Sequence, residues 1–320
     1  MAGRVVIAGG SGFLGRTLAG WYAGQGREVV VLSRGAGSVR GARVVGWDGK
    51  TLGPWVRELE GSGVLVNLAG RSVNCRYHAR NRKSIMNSRL HSVRVLGAAL
   101  RACDSPPALW LQSSTATIYK HTYGPAWGES GETGATAEAK DAFSIEVARA
   151  WEAALDAEEV PGVRRVKLRT AIVFGREPGG VYSVVRRLVR FGLGGAMAGG
   201  KQWVSWIHAE DFCRALDWIE MISDAEGVYN LASPNPVTNS EQMTATRAAL
   251  GMPIGLTAAR WMLELGAVFP MRTETELIIK SRRVVAERLL DEGFIFRYPE
   301  FRGAMMQLEG KVSCDEAQSA

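Results

Sequence analysis

The sequence predicts an α/β fold in which a doubly wound parallel sheet is accompanied by a smaller C-terminal lobe. Apolar, strand-like runs alternate with helical patterns through the first half of the chain, as expected for βα units with right-handed crossovers. The first run is apolar on both faces, which is typical of a buried parallel strand. A glycine-rich turn then leads into a helix, and this combination is typical of Rossmann-like sheets.

The first strand is predicted at residues 4–8 and is followed by Gly9, Gly12 and Gly15 in a GxxGxxG spacing. Glycines at these places allow a tight turn, a close approach of the backbone to a pyrophosphate, and close packing of helix on strand. The N–H groups that open the helix at Phe13 would bind the negative charge. We therefore predict a dinucleotide site in this turn. Its predicted contact residues are Gly9, Ser11, Gly12, Phe13, Leu14 and Gly15.

The second strand, predicted at residues 28–32, ends in Ser33 and Arg34 and has no acidic residue there. NAD-preferring sites usually place Asp or Glu near this point to bind the ribose 2′-hydroxyl. An arginine guanidinium is a rigid fork that matches a phosphate. The sequence therefore predicts NADP(H) in preference to NAD(H), with Ser33 and Arg34 beside the 2′-phosphate. The alternative is a solvated loop arginine, since arginine is mostly exposed in proteins.

Length and composition fit a globular protein. The 320 residues are 46% hydrophobic and 22% charged, which argues against disorder. No stretch approaches the ~20 apolar residues of a membrane span, and the first strand begins too early to leave room for a signal peptide. We therefore expect a cytoplasmic protein with no membrane partner.

Charge and cysteine usage argue against two further kinds of site. The net charge is +7, but the arginines are spread along helices and do not alternate with aromatic residues, so we expect no nucleic-acid partner. Cys75, Cys103, Cys213 and Cys314 are scattered without CxxC spacing, which indicates reduced thiols and no metal site. The expected partner is an unidentified small-molecule substrate, and a homodimer is left open.

Further elements continue the alternation. The other predicted strands are residues 42–46, 63–68, 108–113, 164–170 and 228–232. The predicted helices are residues 13–25, 76–102, 139–157, about 211–219, and a largely helical stretch over about 240–310. We assign residues 1–175 and 206–232 to a nucleotide-binding core, and residues 176–205 and 233–310 to a substrate-side lobe. Residues 311–320 are expected to be a flexible tail.

Two strand ends place small or hydroxyl-bearing residues where open α/β sheets bind their ligands. The fourth strand ends in NLAG, and small residues there would let the adenosine half of a cofactor approach the backbone. The fifth ends in SST, where the hydroxyl of Thr115 would hydrogen-bond a substrate carbonyl or alcohol. The alternative is a strand end whose hydroxyls bond the local backbone. The predicted cofactor contacts are Asn67, Leu68, Ala69, Gly70, Ser113 and Ser114.

The predicted substrate contacts lie elsewhere in the chain. Lys83 and Arg89, on the helix over residues 76–102, either face a ligand or lie on a solvated surface. Glycines recur between residues 175 and 200, and we place substrate access there, with Ser205 and Trp206 on the substrate side. The alternative for Trp206 is packing within the core.

Several segments together resemble the extended short-chain dehydrogenase/reductases, and in particular their atypical branch known as epimerase-family proteins. The resemblance runs from residue 4 to about residue 310 in the family's order and includes the family's C-terminal extension. The segments that carry it are GGSGFLG, VLSR, VNLAG, NSRL, ARAWE, KLRTAIVFG, GLGG, SWIHAEDF and NPVTNSE. The resemblance implies a Rossmann-like fold, a nicotinamide dinucleotide, and Thr115 as the catalytic hydroxyl of an SSxATxY pattern.

The chain departs from the superfamily at its Tyr-x-x-x-Lys pair, in which the tyrosine is the general acid/base and the lysine lowers its pKa. No Tyr-x-x-x-Lys occurs anywhere in the sequence. Phe143 or Ser144 takes the place of the tyrosine, and Val147 or Ala148 that of the lysine. The resemblance therefore does not by itself imply reductase or epimerase activity.

Three functions follow from these observations. The first is an NADP(H)-dependent oxidoreductase or epimerase with an atypical active site, in which Thr115 and Tyr119 are catalytic; Tyr119 with Lys120, or Tyr123 with His121, would replace the missing pair. The second is a non-catalytic NADP(H) sensor or regulatory module, which the missing pair favours. The third, a structural or nucleic-acid-binding protein, rests on net charge alone.

Overall fold

The structure of the protein is a computed structural model that describes residues 3–35, 37–259 and 280–312. Its strands are β1 (Val5–Ala8), β2 (Val29–Ser33), β3 (Arg43–Gly46), β4 (Val64–Asn67), β5 (Leu109–Thr115), β6 (Arg164–Thr170), β7 (Ile172–Phe174), β8 (Trp203–Val204), β9 (Trp206–His208), β10 (Gly227–Leu231) and β11 (Val237–Thr238). Its helices are α1 (Phe13–Gly24), α2 (Ala79–Arg101), α3 (Ala142–Asp156), α4 (Val181–Arg190), α5 (Ala209–Met221), α6 (Asn239–Leu250), α7 (Glu287–Asp291) and α8 (Phe301–Leu308).

Seven of the strands form one parallel sheet in the order β10-β6-β5-β4-β1-β2-β3. β1 lies between β2 and β4, so Val5 pairs with Val29 on one side and with Val64 on the other. The direction of chain progress reverses at this point, which confirms the predicted Rossmann-like, doubly wound sheet. Open α/β sheets bind ligands outside the carboxyl ends of their strands at such a reversal.

The two faces of the sheet are covered by different helices. Val5 and Ile7 of β1 pack with residues of α1 and α5, whereas Val6 and Ala8 pack with residues of α2 and α3. All four side chains are fully buried. Successive strand residues point to opposite faces, so a strand covered on both sides is apolar throughout its length, as this one is.

A smaller lobe lies beyond the sheet. Phe174 and Trp206, at the start of this region, pack against Phe301 and Met305 of α8. A second cluster joins Val185 and Val189 of α4 to Met243 of α6. The short pairs β7–β9 and β8–β11 form two separate two-stranded sheets outside the main sheet.

Two of the described segments in the C-terminal part are not helical, although the sequence predicts helix there. α6 ends at Gly251, which adopts a left-handed φ of 68°, and residues 252–259 and 280–286 contain no helix. Residues 260–279, within the predicted helical stretch, and residues 313–320, most of the predicted tail, lie outside the described residues. The prediction rested on the scarcity of glycine, which does not prevent the two described segments from serving as connections between helices.

The C-terminal segment also returns to the sheet. Four of its buried side chains pack in the same core as β1 and α5 and not in the predicted lobe. They are Ala286, Leu289, Phe294 and Phe296. The core that contains β1 therefore includes side chains from both sides of residue 233, and the predicted division of the chain stays a prediction. Among the helices that the structure describes, none is both long enough and apolar enough to cross a membrane.

Candidate cofactor and substrate site

The three glycines after β1 have the local geometry that a dinucleotide turn requires. Gly9 adopts a left-handed φ of 74°, and a Cβ there would lie 2.6 Å from the Cα of Ala69. A Cβ on Gly15 would lie 2.2 Å from the Cα of Gly10, so helix α1 packs directly against the turn. A Cβ on Gly12 would meet nothing within 4 Å. The turn therefore leaves open space beside Gly12, where a pyrophosphate could approach the backbone.

The first turn of α1 is suited to an anion. Gly12 is the N-cap, no side chain caps the helix, and no acidic residue occupies its first turn. The unsatisfied N–H groups and the helix dipole therefore favour negative charge at this point. Ser11 is exposed, the ring of Phe13 packs against Gly175 and Gly180, and Leu14 packs on the core.

The end of β2 presents the residues predicted to bind a 2′-phosphate. The Ser33 hydroxyl oxygen accepts a hydrogen bond from the backbone N–H of Gly35 at 3.3 Å, which leaves the hydroxyl hydrogen available to donate. Arg34 is exposed, and no carboxylate of the described residues forms an ion pair with it. Its guanidinium is therefore available to an anion approaching this edge.

The turn after β4 is shaped by Asn67. The side chain is fully buried; its amide group donates to Gln112 Oε1 at 2.9 Å and to Ser92 Oγ at 3.3 Å, and its oxygen accepts from the N–H of Ala69 at 3.0 Å. The Asn67 side chain therefore stabilises the turn, and a contact of this residue with the cofactor stays a prediction. Leu68 and Gly70, in contrast, line a cleft at this edge of the sheet.

The cleft has a volume of about 310 Å³ and is bounded by the turn after β4, one face of α2, the carboxyl end of β5 and the start of α3. Ser113, Ser114 and Thr115 all line it, as predicted from the position of β5. The Ser114 hydroxyl donates to Glu152 Oε1 at 2.6 Å. The Thr115 hydroxyl oxygen accepts from the N–H of Thr117 at 3.1 Å, so its hydrogen can be donated into the cleft.

Helix α3 presents an apolar wall where an acid/base pair would stand. Phe143, Val147 and Trp151 line the cleft together with Ser144. The first three are spaced by four residues, which places them on one face of the helix. The helix therefore faces the cleft, and the side chains at the positions of the tyrosine and the lysine carry no acid or base.

Two arginines add positive charge to the cleft, and the sequence interpretation singled out one of them. Arg89 of α2 lies with its guanidinium 4.9 Å from the centre of the Trp151 ring and donates to the carbonyl oxygens of Arg71 and Ile85. Burial lowers the pKa of Arg89 to about 10. Arg71 also lines the cleft, and the sequence interpretation missed it. The signal available was its position directly after the NLAG strand end.

Tyr119 is not placed for catalysis, which corrects the prediction that it replaces the missing tyrosine. Its side chain is fully buried outside the cleft. The hydroxyl donates to Asn230 Oδ1 at 2.8 Å and accepts from Arg169 at 3.0 Å. Burial raises the pKa of Tyr119, although Arg169 partly opposes this. The tyrosine follows a short 3₁₀ turn at Ala116–Ile118, which directs it into the protein interior.

The predicted substrate residues also lie away from the cleft. The Ser205 hydroxyl donates a hydrogen bond to the carbonyl of Arg282 and accepts one from the N–H of Val284. Trp206 is fully buried, and its indole N–H donates to the carbonyl of Asn235 at 2.8 Å. Lys83 lies on the exposed face of α2. Ser205 and Trp206 were predicted from their position beside a glycine-rich region and Lys83 from its position on a helix, and neither kind of position determines which way a side chain points.

Comparison with known proteins identifies the family. Residues 5–232 match the model of the NAD dependent epimerase/dehydratase family. The chain belongs to this family. Residues 258–308 match a second model, described as a domain of unknown function. The predicted resemblance to epimerase-family proteins is thereby confirmed.

Relatives align with almost the whole chain. The epimerase family protein SDR39U1 of Mus musculus is 30% identical over 313 residues, covering 94% of this chain and 98% of the mouse protein. The epimerase family protein YfhF of Bacillus subtilis is 27% identical over 309 residues, covering 95% and 97%. A crystal structure of human SDR39U1 (isoform 2) with NADPH is 26% identical, covers 97% of this chain and all of the human chain, and superposes with a TM-score of 0.80.

Proposed function

We propose that this protein binds NADP(H) and is an oxidoreductase or epimerase of small carbonyl or alcohol compounds. The observation that carries the proposal is one edge of the sheet, where an open, uncapped glycine turn adjoins a cleft containing Thr115. Membership of the family supports a nicotinamide dinucleotide, and the NADPH in the human relative's structure supports the phosphorylated form. Ser33 and Arg34, at the end of β2 where NAD-preferring sites usually have an acidic residue, support the same preference.

Different residues along that edge would bind different parts of the cofactor and of the substrate. The N–H groups of the first turn of α1 would bind the pyrophosphate, and Arg34 the 2′-phosphate. When bound, the cofactor supplies or accepts a hydride. Thr115 would donate a hydrogen bond to the substrate oxygen and stabilise the charge that develops on it. Phe143 and Val147 would exclude water from the reacting atoms.

A second candidate is a sensor or regulatory module that binds NADP(H) without turnover. The observation that favours it is the apolar face of α3, where Phe143 or Ser144 stands at the position of the missing tyrosine and Val147 or Ala148 at that of the lysine. A helix face with neither acid nor base removes the usual route for proton transfer. The two candidates share the cofactor site and differ only in whether a reaction takes place in the cleft.

A homodimer and a cytoplasmic location stay predictions.

The test is a titration of the purified protein with NADPH and NADH, followed by nicotinamide fluorescence. The same samples are then mixed with a panel of aldehydes, ketones and nucleotide sugars, and consumption of NADPH is recorded. Preferential binding of NADPH with turnover supports the enzyme, and preferential binding without turnover across the panel supports the sensor. Binding of neither nucleotide would disprove both.

A further inference from the structure

The cleft contains two guanidinium groups that are bonded only to neutral partners. Arg71 donates to the hydroxyl of Ser84 at 3.0 Å and to the amide oxygen of Asn81 at 2.7 Å. Arg89 donates to two backbone carbonyls, each at 3.1 Å. Throughout residues 3–35, 37–259 and 280–312, no carboxylate lies within ion-pair distance of either group. The cleft therefore holds two positive charges that the described part of the protein does not neutralise.

Arginines elsewhere in the molecule show both kinds of bonding. Arg169 makes a bidentate pair with Glu152, at 2.9 Å for each bond. Among the described residues, Arg165 and Arg247, which are also partly buried, bond only to carbonyl or hydroxyl oxygens. Charged groups removed from water are normally paired, because leaving them unpaired costs free energy. What distinguishes Arg71 and Arg89 is that both line the same cleft.

The positions of the two arginines separate them from the cofactor's own phosphates. The pyrophosphate site proposed above is the first turn of α1, and the 2′-phosphate site is at Arg34. Neither Gly12 nor Arg34 lines the cleft, which is bounded instead by β4, β5, α2 and α3. A charge that meets Arg71 and Arg89 would belong to a second molecule bound beside the cofactor.

We infer that the cleft binds a substrate that carries an oxyanion, a carboxylate or a phosphate, which Arg89 and Arg71 hold while Thr115 contacts its carbonyl or alcohol oxygen. This rests on the function proposed above. The guanidinium fork fits either oxyanion with two parallel hydrogen bonds. The face of Trp151 fixes the plane of the Arg89 guanidinium by a cation–π contact. The volume of about 310 Å³ is at the small end of ligand pockets and favours a compact substrate.

The experiment compares anionic carbonyl compounds with neutral counterparts that lack the carboxylate or the phosphate. Binding to the NADPH-saturated protein is measured by ligand-observed NMR for 4-oxopentanoate against 2,5-hexanedione, and for dihydroxyacetone phosphate against dihydroxyacetone. We expect one anion of the two pairs to bind roughly 10- to 100-fold more tightly than its neutral counterpart, the range given by hydrogen bonds to a charged group. The pair that shows the difference distinguishes carboxylate from phosphate.

Variants assign that difference to the arginines. Arg89→Gln should remove most of the preference for the anion, with the affinities for the neutral ligand and for NADPH within about threefold of the parent. Arg89→Lys keeps the charge without the fork and should restore part of the preference. Arg71→Gln should reduce it independently. Arg94→Gln removes the same charge from the exposed face of the same helix and should change nothing.

Three results would overturn the inference. Charged and neutral ligands that bind equally, or not at all, would show that the cleft does not select an oxyanion. An Arg89→Gln protein that loses NADPH affinity would assign the guanidinium to the cofactor. Failure of the parent protein to bind NADPH is measured separately, and it would disprove the proposed function before the cleft is considered.

Discussion

The glycine turn and the cleft lie at the same edge of the sheet, yet they are built in opposite ways. The turn offers backbone N–H groups and space, because Gly12 has no side chain and Gly9 adopts a conformation that other residues rarely reach. The cleft offers side chains contributed by four elements spread over residues 68–151. A ligand site made of backbone can be recognised from local spacing, whereas one made of side chains depends on packing.

The largest expected effect concerns the packing of the turn. Gly15→Ala would place a Cβ 2.2 Å from the backbone of Gly10, so we expect a loss of about 3 kcal/mol in the free energy of unfolding. Gly20→Ala, on the same helix and with nothing within 4 Å, should stabilise by about 0.5–1 kcal/mol. Chemical denaturation measures both. Similar effects of the two changes would contradict the role of close packing in the turn.

The next effect concerns the phosphate-binding end of the same edge. Arg34→Asp should weaken NADPH binding roughly 10- to 100-fold, because a charged hydrogen bond is replaced by repulsion. NADH, which has no 2′-phosphate, should lose little affinity. Fluorescence titration measures both nucleotides, and Arg40→Asp, an equal charge change at a nearby exposed residue, is the control. Equal weakening of NADPH and NADH would remove Arg34 from the 2′-phosphate site.

A third prediction separates the cleft from the buried network beneath it. Tyr119→Phe removes a hydroxyl that bonds Arg169 and Asn230, so we expect a loss of about 1–2 kcal/mol in the free energy of unfolding. NADPH binding and any turnover should be unchanged. Tyr123→Phe, at a half-exposed tyrosine, should alter the stability by less than about 0.5 kcal/mol. Loss of turnover in Tyr119→Phe at unchanged stability would restore Tyr119 as a catalytic residue.

The smallest effect at ordinary pH concerns the protonation of Arg89 in the cleft. Burial lowers the pKa of Arg89 to about 10, so the group is charged at neutral pH and loses its proton as the pH rises through that value. Binding of the preferred anion should therefore be constant up to about pH 10 and then fall by up to about tenfold per pH unit. Binding of its neutral counterpart should not follow this curve. An equal fall for both ligands would indicate loss of the fold.

The sequence by itself determined the sheet and the glycine turn. Residues 5–8 are apolar throughout because both faces of β1 are covered. Gly9, Gly12 and Gly15 stand where the turn needs a positive φ, open space or close packing. Ser113, Ser114 and Thr115 were placed at the cleft by the rule that ligands meet the carboxyl ends of parallel strands. These features depend on interactions between residues close in sequence or on the direction of the strands.

Only the tertiary structure decided which side chains face the cleft. Tyr119 and Thr115 are four residues apart, but the intervening 3₁₀ turn sends one into the core and leaves the other at the cleft. Trp206 is packed against Phe301, almost a hundred residues away. Arg71 is proposed to bind the substrate anion because α2 places Arg89 beside it. These positions depend on side-chain orientation and on contacts between residues distant in sequence, and local residue spacing predicts neither.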